Sequence, residues 1–163
     1  MLDLEQFRRA MSMLAASVTA VTVRDQSGSP RGLVATAVFS YSAEPPTLAV
    51  SIAHSSRSHA HLTSSSRIGV HLLAGAQSPV AGVLASKTAD KFAALDWSWR
   101  AGVPYIHGSL VAMSGRVSRT FDFLDHTILF VELEELEIDS GVPLIYFERE
   151  LRALTRSHNH AAA

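Results

Sequence analysis

Apolar positions recur with two different periods along this chain, and the changes of period divide it into elements. Over residues 3–16, Leu4, Phe7, Met11 and Leu14 fall at helical spacing, with Asp3 placed to cap the first turn. Residues 18–23 alternate hydroxyl with apolar side chains and stop at Asp25-Gln26-Ser27-Gly28-Ser29-Pro30, a cluster of turn formers. An apolar, β-branched run over 33–42 follows, so the pattern predicts a β-hairpin. Glu44-Pro45-Pro46 ends it, because neither proline can donate to a ladder, and 47–53 reads as another short buried strand. Residues 58–64 read as a short helix, 68–74 as a strand, and Ser78–Ala85 as a helix with Pro79 in its first turn. Residues 87–102 read as an irregular connection with one helical turn near 90–94. Long strands are predicted over 109–120 and His126–Ile138, and a short one over Leu144–Phe147 after the turn Gly141-Val142-Pro143.

Helices interrupt these strands irregularly and do not follow each one, which disfavours a doubly wound parallel sheet. The expected class is mainly β with peripheral helices, a small antiparallel barrel. No repeat or linker divides the chain, and residues 1–154 are expected to form one domain, large enough to bury about 70% of its unfolded surface. Residues 155–163, ending in SHNHAAA, read as a fraying tail.

Composition narrows the possibilities. Cysteine is absent, which excludes disulfides and thiolate metal sites. Fourteen basic against fifteen acidic residues give a net charge of −1, without the positive footprint of a nucleic-acid binder. The first residues show no signal-peptide pattern and no apolar run approaches the roughly 20 residues of a spanning helix, so a soluble, cytoplasmic protein without membrane contact is expected. A mean hydropathy of +0.17 with 47% hydrophobic residues is high for an isolated domain and predicts a homodimer.

The candidate chemistry concentrates between Gly32 and Ser58. Two strand-like segments, GLVATAVFS and PPTLAVSIA, lead into His54-Ser55-Ser56-Arg57-Ser58, where hydroxyls, backbone N–H groups and a guanidinium suit an anion such as phosphate. Serines there are also common helix caps; a cation at a helix start opposes the dipole, which favours a compensating anion. Lys87 and Lys91 offer either a solvated surface or a second arm on the phosphate. No GxGxxG or GxxxxGK[ST] loop occurs. His54, His59 and His61 lie close in sequence, but His59 and His61 are two apart on the predicted helix and face different ways, and no HExxH occurs, so no metal is expected. His158 and His160 fall in the predicted tail. Asp125 beside His126 invites a triad, yet there is no GxSxG elbow and adjacent strand residues point to opposite faces. His126 is then either a structural histidine or a donor in a ligand cleft.

In order and spacing these segments resemble the flavin reductase family of FMN-binding split barrels, the small reductase components of two-component flavin-dependent monooxygenases. The resemblance runs from Phe7 to about Leu154. It rests on FRRAM and ASVTAVTV; on GLVATAVFSYSAEPP, similar to Gly-x-Thr-x-Ser-x-Phe-x-Ser-x-Ser-x-x-Pro-Pro; on HSSRSHAHL, similar to a Ser-Ser-x-Thr phosphate segment; and on RIGVHLLAGAQ, ADKFAALDW, GVPYIHGSL and DHTILFVELEEL. It implies a homodimeric split β-barrel that binds FMN or FAD, with the phosphate on Ser55, Ser56, Arg57 and Ser58 assisted by Lys91. Thr36, Ala37, Val38, Phe39 and Ser40 would run beside the isoalloxazine ring, and Ala53 and His54 would lead into the phosphate segment. His126, in the family's Gly-Asp-His motif, would position the nicotinamide of NADH or NADPH. The implied activity is NAD(P)H:flavin oxidoreductase, supplying reduced flavin to a partner monooxygenase; a flavin carrier of the same fold without NAD(P)H turnover is the competing expectation. The chain departs from the family pattern with Leu124 for the motif's glycine, Val38 for a common aromatic, Ser17 for a usual glycine and His71 for a frequent asparagine.

Overall fold

The structure, a computed structural model, describes residues 2–155. Its first helix, α1 (Leu4–Ser12), starts where the pattern put it. Asp3 accepts hydrogen bonds from the N–H groups of Glu5 and Gln6, at 3.1 and 3.3 Å. It stops at Ser12, so Leu14 lies beyond it, and no residue of the helix is buried. The amphipathic face seen in sequence stays largely exposed, with Phe7 and Met11 close to half accessible.

The strands follow as β1 (Ala16–Ser17), β2 (Thr19–Arg24), β3 (Pro30–Ala35), β4 (Val38–Ala43) and β5 (Pro46–Ala53). After α2 (His59–Thr63) come β6 (Arg67–Leu72), α3 (Ser78–Ala85), β7 (Trp97–Arg100), β8 (Val103–Ile106), β9 (Val111–Phe123), β10 (His126–Ile138), β11 (Leu144–Phe147) and β12 (Glu150–Ala153). Seven strands form one antiparallel sheet in the order β3-β2-β6-β9-β10-β5-β4. β1, β11 and β12 form a second sheet and β7–β8 a separate hairpin. All the pairings are antiparallel, so the mainly β class and the rejection of a doubly wound sheet both hold.

The strand predicted over 33–42 is two strands on opposite edges of the large sheet. β3 pairs with β2, β4 pairs with β5, and only Thr36 and Ala37 join them. Two residues span about 7 Å, so the sheet must roll until its edges nearly meet. The break at Thr36 is therefore the seam of the rolled sheet.

A hairpin and an edge strand also escaped the sequence pattern. The stretch predicted as irregular over 87–102 contains the short helical turn Phe92–Ala94, but its second half is strand β7, turned back into β8 through Ala101 and Gly102 at φ of 49° and 79°. β12 follows another two-residue turn, Glu148 and Arg149, at φ of 51° and 66°. Left-handed conformations at Ala, Glu and Arg are uncommon, so residue type gave no warning of these turns. Of the tail expected over 155–163, residues 156–163 lie outside the described residues.

β2 separates two cores. Its odd positions Val21 and Val23 join Val50, Ile52, Leu62, Ile68, Val70, Leu129 and Val131 inside the rolled sheet. Ala20, with Val18, joins Leu73, Ala81, Leu84, Phe92, Ile106 and Leu144 beneath α3. Period-2 alternation with both faces covered explains why β2 is buried almost throughout. Buried Thr22 donates its hydroxyl proton to the carbonyl of Pro104 at 2.7 Å, which anchors the β7–β8 hairpin. β9 bends across β10 at Gly115, where any Cβ would stand 2.2 Å from the carbonyl oxygen of Glu132, so only glycine lets the backbones approach.

Candidate functional site

The seam opens into a cavity of about 620 Å³, within the usual range for small-molecule sites. Its floor is apolar, from Leu33, Val34, Ala35, Ile52, Ala53 and Leu84. Thr36 and Ala37 line it at the strand break, and Ser55, Ser56, Arg57 and Ser58 close one end, facing Ser86, Lys87 and Lys91. His126 stands on the lining. Three cations and no carboxylate surround the cavity. Such a lining attracts an anion attached to an apolar body.

The corner is held by specific bonds. The Ser58 hydroxyl donates to the buried carbonyl of Gly32 at 3.0 Å, and the Ser58 N–H reaches the Ser56 hydroxyl at 3.3 Å. Ser58 makes no side-chain cap to α2, so helix capping does not explain these serines. Nor does the dipole of α2 explain Arg57, since that helix spans only five residues. Arg57 instead donates to the carbonyl of Ser86 at 3.1 Å, and Lys91 donates to the carbonyls of Leu84 and Gly32. Both cations thus cap the C-terminal end of α3, where positive charge is favoured. One contact leaves most of the five guanidinium donors of Arg57 uncommitted. Burial first, and then the charge of Arg57, pulls the Lys91 ammonium below its ordinary pKa. Two cations share the corner without a counterion in the cavity lining; an anion would remove that repulsion.

Thr36 and Ala37 lie outside both ladders. The Ala37 carbonyl accepts from the Ser51 N–H at 2.9 Å, while among the described residues neither N–H of the pair has a backbone acceptor. Both residues line the cavity, so these donors are available at its wall. Val38, Phe39 and Ser40 are outside the lining: Val38 packs on the inner core and Phe39 is 54% exposed. His54 also sits outside it.

His126 begins β10 opposite Ala53. Strand alternation was expected to keep Asp125 from the ring, but Asp125 belongs to the turn and not to the strand, and its Oδ1 lies 2.8 Å from His126 Nδ1. The hydrogen bond from His126 is the main reason that the Asp125 carboxyl is shifted below its usual range. This bond fixes the proton on Nδ1 and leaves Nε2 available. Leu124 adopts φ +54°, the conformation a glycine would take easily, and its side chain is 81% exposed and absent from the cavity lining.

Sequence reasoning missed the end of α3, residues 84–86, which forms one wall. It also missed Asp122, which His54 Nε2 reaches at 3.2 Å across 68 positions of sequence. No local spacing could have signalled either.

Comparison with known proteins places this geometry in context. A family model described as a flavin reductase like domain matches residues 11–155. Over 157 residues the chain is 38% identical to FMN reductase (NADH) RutF of Stutzerimonas stutzeri, covering 94% of this chain and 90% of that one. It is 33% identical to the 4-hydroxyphenylacetate 3-monooxygenase reductase component of Pseudomonas aeruginosa, covering 92% and 91%. Among solved structures, the NADH:FAD oxidoreductase SgcE6 of Streptomyces globisporus C-1027, in complex with NAD and FAD fragments, matches with a TM-score of 0.88 at 26% identity over 98% of this chain and 95% of that one.

Proposed function

Since the chain belongs to the flavin reductase-like family, we propose that it is an NAD(P)H:flavin oxidoreductase that binds FMN or FAD in the seam cavity and passes reduced flavin to a partner monooxygenase. The acid-free, cation-lined end of that cavity carries this reading. Ser55, Ser56, Arg57, Ser58 and Lys91 hold the flavin phosphate. Thr36 and Ala37 offer N–H groups to the polar edge of the ring, and Ile52 and Ala53 lie along its apolar face.

Bound flavin supplies the hydride acceptor, and donors along its edge favour the negative charge of the reduced form. The residues here align and shield; no general base is needed for hydride transfer between stacked rings. His126, its ring fixed by Asp125, presents Nε2 as a hydrogen-bond acceptor to the nicotinamide nucleotide and sets its position. NADH is favoured as reductant by the relatives named for it.

The same reading closes the rolled sheet as a split barrel over residues 1–154, with 155–163 as a tail, and pairs it as a cytoplasmic homodimer. Exposed Phe7, Met11, Phe39, Tyr41, Phe121 and Phe123 supply an apolar surface for a second copy. No helix among the described residues is long and apolar enough to cross a membrane. A monooxygenase partner accords with the relative named as a reductase component.

The test is steady-state oxidation of NADH and NADPH by purified protein with added FMN or FAD, followed by loss of reduced-nicotinamide absorbance. Turnover that saturates with flavin is expected. Oxidation no faster than with free flavin would reject the enzyme, and tight flavin binding without turnover would make the chain a carrier.

A further inference from the structure

Outside the cavity lining, three side chains from separate segments converge behind the corner. His54 lies in the turn after β5, His59 opens α2, and Asp122 sits near the end of β9; one ligand atom from each lies within 4.8 Å of the others. His54 Nε2 is 3.2 Å from Asp122 Oδ1. The two imidazoles meet edge to face with centroids 4.9 Å apart. The buried Thr127 stands beneath them: His59 Nε2 donates to its hydroxyl at 2.7 Å, and the hydroxyl donates to Asp122 Oδ1.

We propose that His54, His59 and Asp122 form a binding site for a divalent cation of the zinc class. Two imidazoles and a carboxylate are the ligands that Zn²⁺ and its neighbours take, at bonds of roughly 2.0–2.2 Å. On a tetrahedral centre such bonds place ligand atoms about 3.3 Å apart, and His54 and Asp122 already stand at 3.2 Å. Both side chains are substantially exposed, at 40% and 76%, so ring and carboxylate can turn to admit His59 as third ligand. Mg²⁺ and Ca²⁺ are disfavoured, because they require about six or more oxygen ligands.

Supporting contacts are in place. Thr127 orients Asp122, as outer-shell donors do at metal sites. The His54 N–H donates to the carbonyl of Asp125 at 2.8 Å, which pins the turn that carries the first ligand. Metal binding requires both histidines to move the Nε2 proton to Nδ1, exchanging donation for ligation. Three protein ligands leave a fourth position for water. The cation would join the segment leading into Ser55 to the hairpin that carries His126, and so tie the flavin corner to the nicotinamide side.

The experiment is titration of flavin-free protein with Co²⁺, read by its visible absorption, followed by displacement with Zn²⁺. His158 and His160 are replaced by alanine in every sample so that the terminus binds no metal. One Co²⁺ per chain is expected, with affinity about tenfold or more weaker in Asp122→Asn and in His59→Ala, and unchanged in His61→Ala. Far-UV circular dichroism and an unchanged thermal melt confirm that each variant is folded. Absence of saturable Co²⁺ binding, or equal affinity in the Asp122, His59 and His61 variants, would overturn the site and leave a hydrogen-bond chain. Because the titration uses no flavin or nucleotide, it stands whether or not the reductase assignment does.

Discussion

The two ends of the seam handle charge in opposite ways. At the corner, Arg57 is exposed and Lys91 half-buried; among the described residues both are bonded only to carbonyls, and they face a cavity with no carboxylate. At the β9–β10 hairpin the histidines are exposed or half-exposed, and two of them are matched with an acid: His126 with Asp125, His54 with Asp122. A region that leaves positive charge uncompensated is organised to be completed by a ligand. One that satisfies its own charges is organised to keep a geometry. The corner should therefore govern flavin affinity, and the hairpin the rate of reduction.

The strongest test of that division is the pair Arg57→Ala and Lys91→Ala. Each removes a charge-assisted bond worth ~1.5 to 3 kcal/mol, so the double variant should weaken flavin binding by roughly two to four orders of magnitude. Fluorescence titration measures this, and kcat at saturating flavin should stay close to that of the parent. Unchanged affinity would place the phosphate elsewhere.

His126→Ala should give the complementary result. A misplaced nicotinamide lowers kcat/KM for NADH by about tenfold to a hundredfold, with flavin affinity retained. Loss of flavin affinity at constant NADH efficiency would erase the contrast between the two ends.

His71, away from both, provides a third measure. It is 1% exposed on β6, edge-on to Tyr105, and desolvation pushes its pKa down to about 4. Arg100, Glu135 and Glu137 lie around the neighbouring cleft. The unfolded chain, with an ordinary histidine near 6.5, binds more protons than the folded one between these values. Stability attributable to His71 is thus whole above pH 6.5 and falls as the pH drops towards 4, at up to about 1.4 kcal/mol per pH unit. Urea unfolding across that window should show the slope, and His71→Asn should flatten it. A parallel slope in the variant would assign the dependence to other groups.

The smallest effect is expected at Leu124. At φ +54° a leucine is strained by about 1–2 kcal/mol, partly offset by the entropy of a flexible glycine. Leu124→Gly should raise the melting temperature by a few degrees and leave flavin affinity unchanged. If kcat for NADH also rises severalfold, the exposed side chain interferes with nicotinamide approach.

Element boundaries were legible wherever one side-chain pattern persisted. His126–Ile138, Leu144–Phe147 and Ser78–Ala85 were read to the residue because their alternation or helical spacing is uninterrupted. The 33–42 run failed for the same reason: its apolar pattern continues through Thr36 and Ala37, although the chain leaves one sheet edge for the other there. Hairpin β7–β8 and strand β12 were missed because their turns place Ala101, Glu148 and Arg149 in left-handed conformations that residue type does not announce. At the site, Ser55, Ser56, Arg57, Ser58, Lys91, Thr36, Ala37, Ala53 and His126 do converge on one cavity, whereas Val38, Phe39, Ser40 and His54 lie outside its lining.

The sequence by itself determined that this is a mainly β protein with an anion-seeking corner between residues 54 and 58, because hydroxyl, cation and strand patterns are local and survive without three-dimensional context. Only the tertiary structure decided what completes that corner. The carbonyls ending α3 and the rolled seam at Thr36 come from distant segments, as does the Asp122 partner of His54. Burial and long-range pairing bring them together, and neither leaves a periodic trace in the residues concerned.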